Sequence, residues 1–160
     1  MQIRKLSKAD YPFVKEIYQF GIDTGHATFE TRAPEWEVWD QKFLETFRVL
    51  ANENNGITGW AALSAISDRC VYAGVCEISC YVHPAHHSRG IGKILLERLI
   101  SDSEENNIWT LQAGIFPENI PSIQLHKKLG FREVGYREKI GKMNGCWRNV
   151  LLFERRSKII

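Results

Sequence analysis

The passage from Tyr72 to Gly92 constrains the fold most, because the longest strand-like run of the chain gives way there to a glycine-rich helix start. The run Tyr72 to His83 is closed by Pro84, which removes a backbone donor and fixes φ. Successive side chains of a strand point to opposite faces, so Glu77, Ser79 and Tyr81 share one face and Cys76, Ile78, Cys80 and Val82 the other. His87-Ser88-Arg89-Gly90-Ile91-Gly92-Lys93 then leads into a helix expected from about Gly90 to Glu105, with Ile91, Ile94, Leu95, Leu99 and Ile100 at helical spacing. Two glycines one residue apart let the backbone approach a ligand closely, and the free N–H groups of a helix N-terminus favour phosphate. Arg89 and Lys93 add charge-assisted contacts. No Gly-Lys-Ser/Thr closes the loop as in a Walker A sequence, and Leu95 stands where a dinucleotide fingerprint needs its third glycine. From this fragment alone, a phosphate-binding loop and an ordinary glycine-rich helix start fit equally well.

Ile3 to Leu6 reads as a short strand, and Ser7 as the cap of a helix through about Phe20, with Asp10 favouring its N-terminus and Ile17 and Phe20 in its buried stripe. Pro34 suits the first turn of a second helix, in which Trp36, Trp39, Phe43 and Phe47 recur at near-helical spacing as a core stripe. Arg48 to Asn52 and Ile57 to Ile66 read as strands joined through Asn54-Asn55-Gly56, residues that tolerate positive φ. Ile108 to Ile115 is a further strand, and Asn119 to Leu129 a helix that Gly130 stops. Arg132 to Glu154 reads as two antiparallel strands turning near Met143-Asn144-Gly145. These elements predict an α/β fold, a mixed and mostly antiparallel central sheet flanked by helices.

A chain of 160 residues is long enough for one core and too short for two, so residues 1–160 are expected to form a single domain. With 44% apolar and 25% charged residues, and no stretch near the ~20 apolar residues that span a bilayer, a membrane role is not expected. The N-terminus has no apolar stretch behind Arg4-Lys5, which makes the cytoplasm the default compartment. A net charge of +2 with interspersed signs is too small a footprint for nucleic-acid binding. Cys70, Cys76, Cys80 and Cys146 show no C-x-x-C spacing and read as reduced thiols. Cys76 and Cys80 share a strand face, but no further Cys or His pair completes a tetrahedral set, so no metal is expected.

The loop resembles motif A of the GNAT superfamily of N-acetyltransferases, Q/R-x-x-G-x-G/A, whose backbone N–H groups bind the pyrophosphate of CoA; His87 stands at the Q/R position. Downstream, Asn119-Ile120-Pro121-Ser122-Ile123-Gln124-Leu125-His126-Lys127-Lys128-Leu129-Gly130-Phe131 is similar to motif B, N-x-x-S/A-x-x-L-H/Y-x-x-x-G-F. Within the superfamily, Glu77 to Pro84, Thr28-Phe29-Glu30-Thr31, Leu125-His126 and Gly145-Cys146-Trp147 look like the phosphinothricin acetyltransferase branch, a resemblance that covers nearly the whole chain. The chain departs from that branch in having Asn149 where Asp is common, and in a shorter Arg69-Cys70-Val71-Tyr72 segment. These departures bear on the substrate more than on the reaction. The resemblance implies acetyl-CoA as co-substrate, a small amino-acid-like amine as acceptor (of the phosphinothricin, methionine sulfone or sulfoximine type), and a homodimer.

Acetyl transfer needs a neutral amine, yet amines with pKa between ~8 and ~10.4 arrive mostly protonated at neutral pH, so a general base is worth ~10² to 10⁴. Glu77, in the middle of the long strand, is the candidate base, against the alternative of a surface-facing or Arg-paired strand glutamate. The resemblance places the branch's catalytic Glu there, the backbone N–H of Val82 against the thioester oxygen, and Asn119 against pantetheine or a water. It sets His126 where other branches carry a Tyr that protonates the leaving thiolate; a base partner and an oriented structural residue stay open. Tyr81, Val82, Ser88, Arg89, Gly90, Ile91, Gly92, Lys93 and Asn119 are thus the expected cofactor contacts, and Phe29, Glu30, Arg69 and Tyr72 the acceptor contacts, Arg69 as partner of its carboxylate. Acetylation of a protein or peptide, or a non-catalytic acyl-CoA-binding module, are the alternatives; retention of both Glu77 and His126 speaks against the second.

Overall fold

The computed structural model describes residues 1–54 and 56–160. In chain order the elements are β1 (Gln2–Lys5), α1 (Tyr11–Asp23), α2 (Trp36–Lys42), β2 (Arg48–Glu53), β3 (Gly56–Ala65), β4 (Val75–Val82), α3 (Ile91–Glu105), β5 (Thr110–Ile115), α4 (Ile120–Lys128), β6 (Arg132–Met143) and β7 (Cys146–Arg156). They build one seven-stranded sheet of order β1-β2-β3-β4-β5-β7-β6, antiparallel throughout except for the pair β4–β5. That is the mixed, mostly antiparallel sheet the sequence implies. A parallel pair needs a crossover, and α3 supplies it.

Each face of the sheet carries its own apolar cluster. Leu95, Leu96 and Leu99 of α3 pack on Ala61, Leu63, Cys76 and Ile78 on one side. On the other, Val14, Ile17 and Tyr18 of α1 meet Trp39, Leu50 and Trp60. The alternation read along β4 holds: Cys76, Ile78, Cys80 and Val82 join the α3 cluster and Tyr81 the α1 cluster.

Several local expectations need correction. Ser7 caps a 3-10 turn, Lys8–Asp10, through a reciprocal Ser7/Asp10 capping box, and α1 starts only at Tyr11. Phe20 is not part of the buried stripe; it is 37% exposed and its ring meets His83 edge-on at 5.0 Å. The second helix ends at Lys42 instead of reaching Phe47, because Phe43 turns extended and Leu44 N–H donates to the Leu63 carbonyl of β3. The buried Arg48 guanidinium collects the freed Phe43 and Asp40 carbonyls together with the Asp40 carboxylate. β4 begins at Val75, not Tyr72, since Cys70–Tyr72 forms a 3-10 turn. Of the turn Asn54-Asn55-Gly56, Asn54 has φ of 44°, and Asn55 lies outside the described residues. The β6–β7 turn has positive φ at both Asn144 and Gly145, as a tight hairpin requires.

Asp10 ties the first strand to the first helix. Its carboxylate accepts from Arg4 Nη1 and Nη2 at 2.9 and 2.7 Å and from the backbone N–H and hydroxyl of Ser7 at 2.8 Å each. The Arg4 hydrogen bonds, more than any other contact, hold its pKa down at about 2. A carboxyl depressed on folding contributes stability that is present above its unfolded pKa and lost as pH falls through the folded value. Asp10→Asn is therefore expected to lower stability by about 1–2 kcal/mol at pH 7 and to flatten the loss of stability between about pH 4 and pH 2, measured by urea unfolding across that range. An unchanged acid limb would remove Asp10 from this role.

Candidate active site

β4 and β5 pair only at Val75–Thr110, Cys76–Leu111 and Glu77–Gln112. Beyond these positions each strand follows its antiparallel neighbour, β4 along β3 as far as Val82 and β5 along β7 as far as Ile115. A rift opens between them, continuous with a cleft of about 1110 Å³. Its walls are Glu77 to Val82 on one side and Gln112 to Phe116 with Asn119, Ser122, Leu125 and His126 on the other. His83 N–H donates to the Thr58 carbonyl on β3, and peptide groups alternate in direction along a strand, so Val82 N–H points into the rift.

The glycine-rich loop closes one end of this cleft. Ser88 and Gly90 both have positive φ, 61° and 78°, and Gly90 is the N-terminal cap of α3. Alternating left-handed residues curl the backbone so that successive N–H groups converge into an anion-binding concavity. The first intrahelical bond is Ile94 N–H to Gly90 carbonyl, which leaves the N–H groups of Ile91, Gly92 and Lys93 for a ligand. A Cβ on Gly92 would lie 3.3 Å from the Leu125 side chain of α4, which would have to give by a few tenths of an ångström to admit it. His87, at the position the resemblance marks as unusual, bridges Nε2 to the Val82 carbonyl at 2.9 Å and straps the loop to the end of β4. Arg89 is engaged elsewhere, with Glu53 at 2.8 Å and His86 Nδ1 at 2.8 Å, so its side chain does not line the cleft.

Glu77 is half-buried on the cleft wall beside Gln112, and among the described residues its carboxylate has no hydrogen-bond or ion-pair partner. Tyr81 and Tyr18, 4.7 Å apart between ring centroids, stand on the same side. Burial pushes the Tyr18 phenol up to about 12 and that of Tyr81 well above its usual value, so both stay protonated donors. Burial likewise raises the Cys80 thiol to about 12, which removes it as a nucleophile in the cleft.

His126 is buried, with Nδ1 2.8 Å from the Ser122 carbonyl and its ring edge-on to Phe131 at 5.0 Å. A carbonyl only accepts, so Nδ1 carries the proton and Nε2 the lone pair. Burial lowers its pKa, which keeps the ring neutral. Asn119 is the cap of α4: its carbonyl oxygen accepts from Ser122 N–H at 3.3 Å and its amide donates to the His26 carbonyl at 3.1 Å.

Phe29 and Glu30 line the cleft, Phe29 edge-on to Phe116 at 4.9 Å. Arg69 and Tyr72 are not brought to the cleft; they occupy the 3-10 turn before β4, the guanidinium 5.4 Å from the Tyr72 ring centroid. Asn149, the departure near the C-terminus, accepts from Lys139 N–H at 2.7 Å and so supports an irregular stretch of β6 where Lys139 has positive φ. Sequence reasoning missed Tyr18, His26 and Gln112, which line the cleft from separate elements, and Arg148, which stands behind its wall on His26 and Phe116; none carries a local motif. No group of three or more His, Cys, Asp or Glu side chains among the described residues is arranged to hold a metal ion.

Unpaired strand backbone, a helix start with free N–H groups and the Glu77 carboxylate meet in one cleft, an arrangement suited to a group-transfer enzyme whose donor bears phosphate. More narrowly, the family model described as "Acetyltransferase (GNAT) family" matches residues 3–131, and the chain belongs to that family. It is 31% identical to the L-methionine sulfoximine/L-methionine sulfone acetyltransferase of Salmonella typhimurium over 96% of this chain and 93% of that protein. Its fold superposes on the ribosomal-protein-alanine N-acetyltransferase of Brucella melitensis with a TM-score of 0.90 at 28% identity, covering 98% of this chain and 100% of the other. A phosphinothricin acetyltransferase of Sinorhizobium meliloti, solved in complex with acetyl-CoA, superposes with a TM-score of 0.87 at 29% identity over 97% and 87% of the two chains.

The buried imidazole gives a pH signature. A His whose pKa is lowered on folding contributes stability that is present above its unfolded pKa, about 6.5, and lost as pH falls through the folded value. Replacing His126 with Gln should reduce the slope of unfolding free energy against pH between about pH 7 and pH 5 by up to about 1.4 kcal/mol per unit. Urea unfolding of both proteins across that range reads the difference, and identical slopes would place the titrating histidine elsewhere.

Proposed function

We propose that this chain, acting as a single domain, transfers the acetyl group of acetyl-CoA to the amine of a small amino-acid-like acceptor, of the methionine sulfone, methionine sulfoximine or phosphinothricin type. The observation that carries this reading is the partnerless Glu77 carboxylate on the wall of the rift whose far end meets the loop from Ser88 to Lys93. The substrates named for the Salmonella and Sinorhizobium relatives support the acceptor class.

Acetyl-CoA supplies, when bound, an acetyl group already activated as a thioester. The N–H groups of Gly90, Ile91, Gly92 and Lys93 hold its pyrophosphate, and the ammonium of Lys93 adds charge beside it. Val82 N–H, pointing into the rift, donates to the thioester oxygen and favours the charge that develops there. Glu77, directly or through one water, takes the proton from the acceptor ammonium and leaves a nucleophilic amine. His126 is neutral with its proton on Nδ1, so its Nε2 offers an acceptor and not a donor for the leaving thiolate. Tyr81 and Tyr18 remain neutral phenols and serve as donors on the acceptor side. No residue here calls for a metal. The resemblance further implies a homodimer; no helix among the described residues is long and apolar enough to cross a membrane.

Acetylation of a peptide N-terminus is the second reading, favoured by the likeness to the Brucella enzyme. Thiol-release turnover with acetyl-CoA against amino acids, methionine sulfone and sulfoximine, phosphinothricin and short peptides separates the two readings.

Gly90→Val forces a β-branched residue into φ of 78°, a strain of about 1–2 kcal/mol or more that the loop relieves by losing its curl. The thermal shift produced by acetyl-CoA should then disappear while the protein stays folded. A retained shift would locate the donor away from this loop.

Glu77→Gln keeps size and hydrogen bonding and removes the base. It should lower kcat/KM for the amine by roughly 10² or more at pH 7, leave the acetyl-CoA affinity nearly unchanged, and recover part of the loss as pH rises and more amine arrives neutral. Wild-type turnover with an unchanged pH profile would take Glu77 out of the mechanism.

A further inference from the structure

Arg148 stands beside the cleft and takes no part in the proposed reaction. Arg148, on β7, is 13% exposed at its side chain, and its guanidinium lies 4.0 Å from the ring centroid of Phe116. From that position it donates to the Gly25 carbonyl at 2.8 Å, reaches His26 Nδ1 at 3.1 Å, and meets Glu118 Oε2 at 3.4 Å. A planar guanidinium on an aromatic face, with its N–H groups fanned out in one plane, is well suited to fix several acceptors at once. The segment it grips is the irregular stretch after α1, which carries Phe29 into the cleft. Asn119 holds the same segment from the other side, through the His26 carbonyl.

The far end of this segment is set by packing. The Phe29 ring stands edge-on to Phe116, on which Arg148 lies, and covers Gly141 of β6 so closely that a Cβ there would sit 2.8 Å from the ring. Arg148 pairs with Gly141 across β6 and β7, so clamp and closure share one register position of the sheet. Phe29 and Gly141 both line the cleft, so the ring over the glycine narrows it there, and the stretch from Gly25 to Phe29 has no strand or helix pairing of its own to hold it in place.

We propose that Arg148 is a positioning residue: by clamping the Gly25–His26 backbone against Phe116 it keeps Phe29 over Gly141 and so limits the size of the acceptor the enzyme accepts. A compact amino acid fits beneath the closure; an acceptor extended by a further residue needs Phe29 to move. This inference rests on the acetyl-transfer reading for its substrate consequence, but the clamp itself does not.

The test has two readouts on the full chain. Hydrogen exchange of the amides from Gly25 to Glu30, in the protein without substrates, should speed up at least tenfold in Arg148→Met, with Arg148→Lys intermediate because an ammonium cannot lie flat on Phe116 while reaching both backbone and imidazole. In turnover, Arg148→Met should raise KM for a small amino acid while leaving KM for acetyl-CoA unchanged, and should reduce the preference for methionine sulfone over a dipeptide of the same N-terminal residue by about tenfold. Unchanged exchange in Arg148→Met overturns the clamp. Faster exchange with an unchanged preference overturns the size limit, and an equal loss of kcat on both acceptors does the same. If Arg148→Met does not fold, the intermediate Arg148→Lys decides on the same readouts. Failure of the wild-type protein to acetylate any amine counts against the acetyl-transfer reading, and the exchange result then stands alone for or against the clamp.

Discussion

The pairing of β4 with β5 lasts for three residue pairs, and most of what the molecule offers chemically follows from where it stops. The pair is locked at its start: Trp109 and Thr110 N–H both donate to the Gly74 carbonyl, and the Trp109 indole lies where a Cβ on Gly74 would be. From that lock each strand is drawn off by an antiparallel neighbour with a longer ladder, β3 on one side and β7 on the other. The twist that accumulates across a sheet makes the two directions diverge. What remains is a wedge with unpaired strand backbone on its walls, an arrangement that costs free energy in a closed core and is tolerable only where water or a ligand satisfies the groups.

Glu77 sits at the last paired position, where the wedge begins, and Val82 near its mouth, so in the proposed mechanism their spacing along one strand sets the length over which base and oxyanion donor act. Around them the site is tuned by burial more than by charge pairing. Two phenols and one thiol are held protonated, and one imidazole is held neutral, each because its ionised form would lose hydration. The Glu77 carboxylate, without a partner among the described residues, lies where the wedge begins.

Much of this was legible in the sequence, for identifiable reasons. Alternation along Val75–Val82 assigned Glu77 and Tyr81 to one face, because a strand buried on both sides has only two faces to offer. Gly90 and Gly92 marked the loop because two glycines one residue apart free the backbone to approach a ligand, and Gly90 does take a positive φ. The helix read from Asn119 to Leu129 carries Ser122 and His126 to the cleft, yet Asn119 proved to be its cap and a tether for His26, a role that depends on a residue 93 positions away. The aromatic stripe from Trp36 to Phe47 read as one helix, and helical spacing alone gave no warning that Arg48 and β3 would pull Phe43 and Leu44 out of it.

The sequence by itself determined what local stereochemistry and periodicity decide: the elements and their order, the two-faced long strand, the glycine loop with its helix, and through these motifs the family and the reaction. Tertiary structure alone decided which of the expected acceptor residues meet. It carried Phe29 to the cleft, set Arg69 and Tyr72 on the far turn, and brought in Arg148, because these placements depend on contacts between segments distant in the chain. Such contacts are selected by packing and by hydrogen-bond satisfaction in three dimensions, and no period or spacing along the chain encodes them.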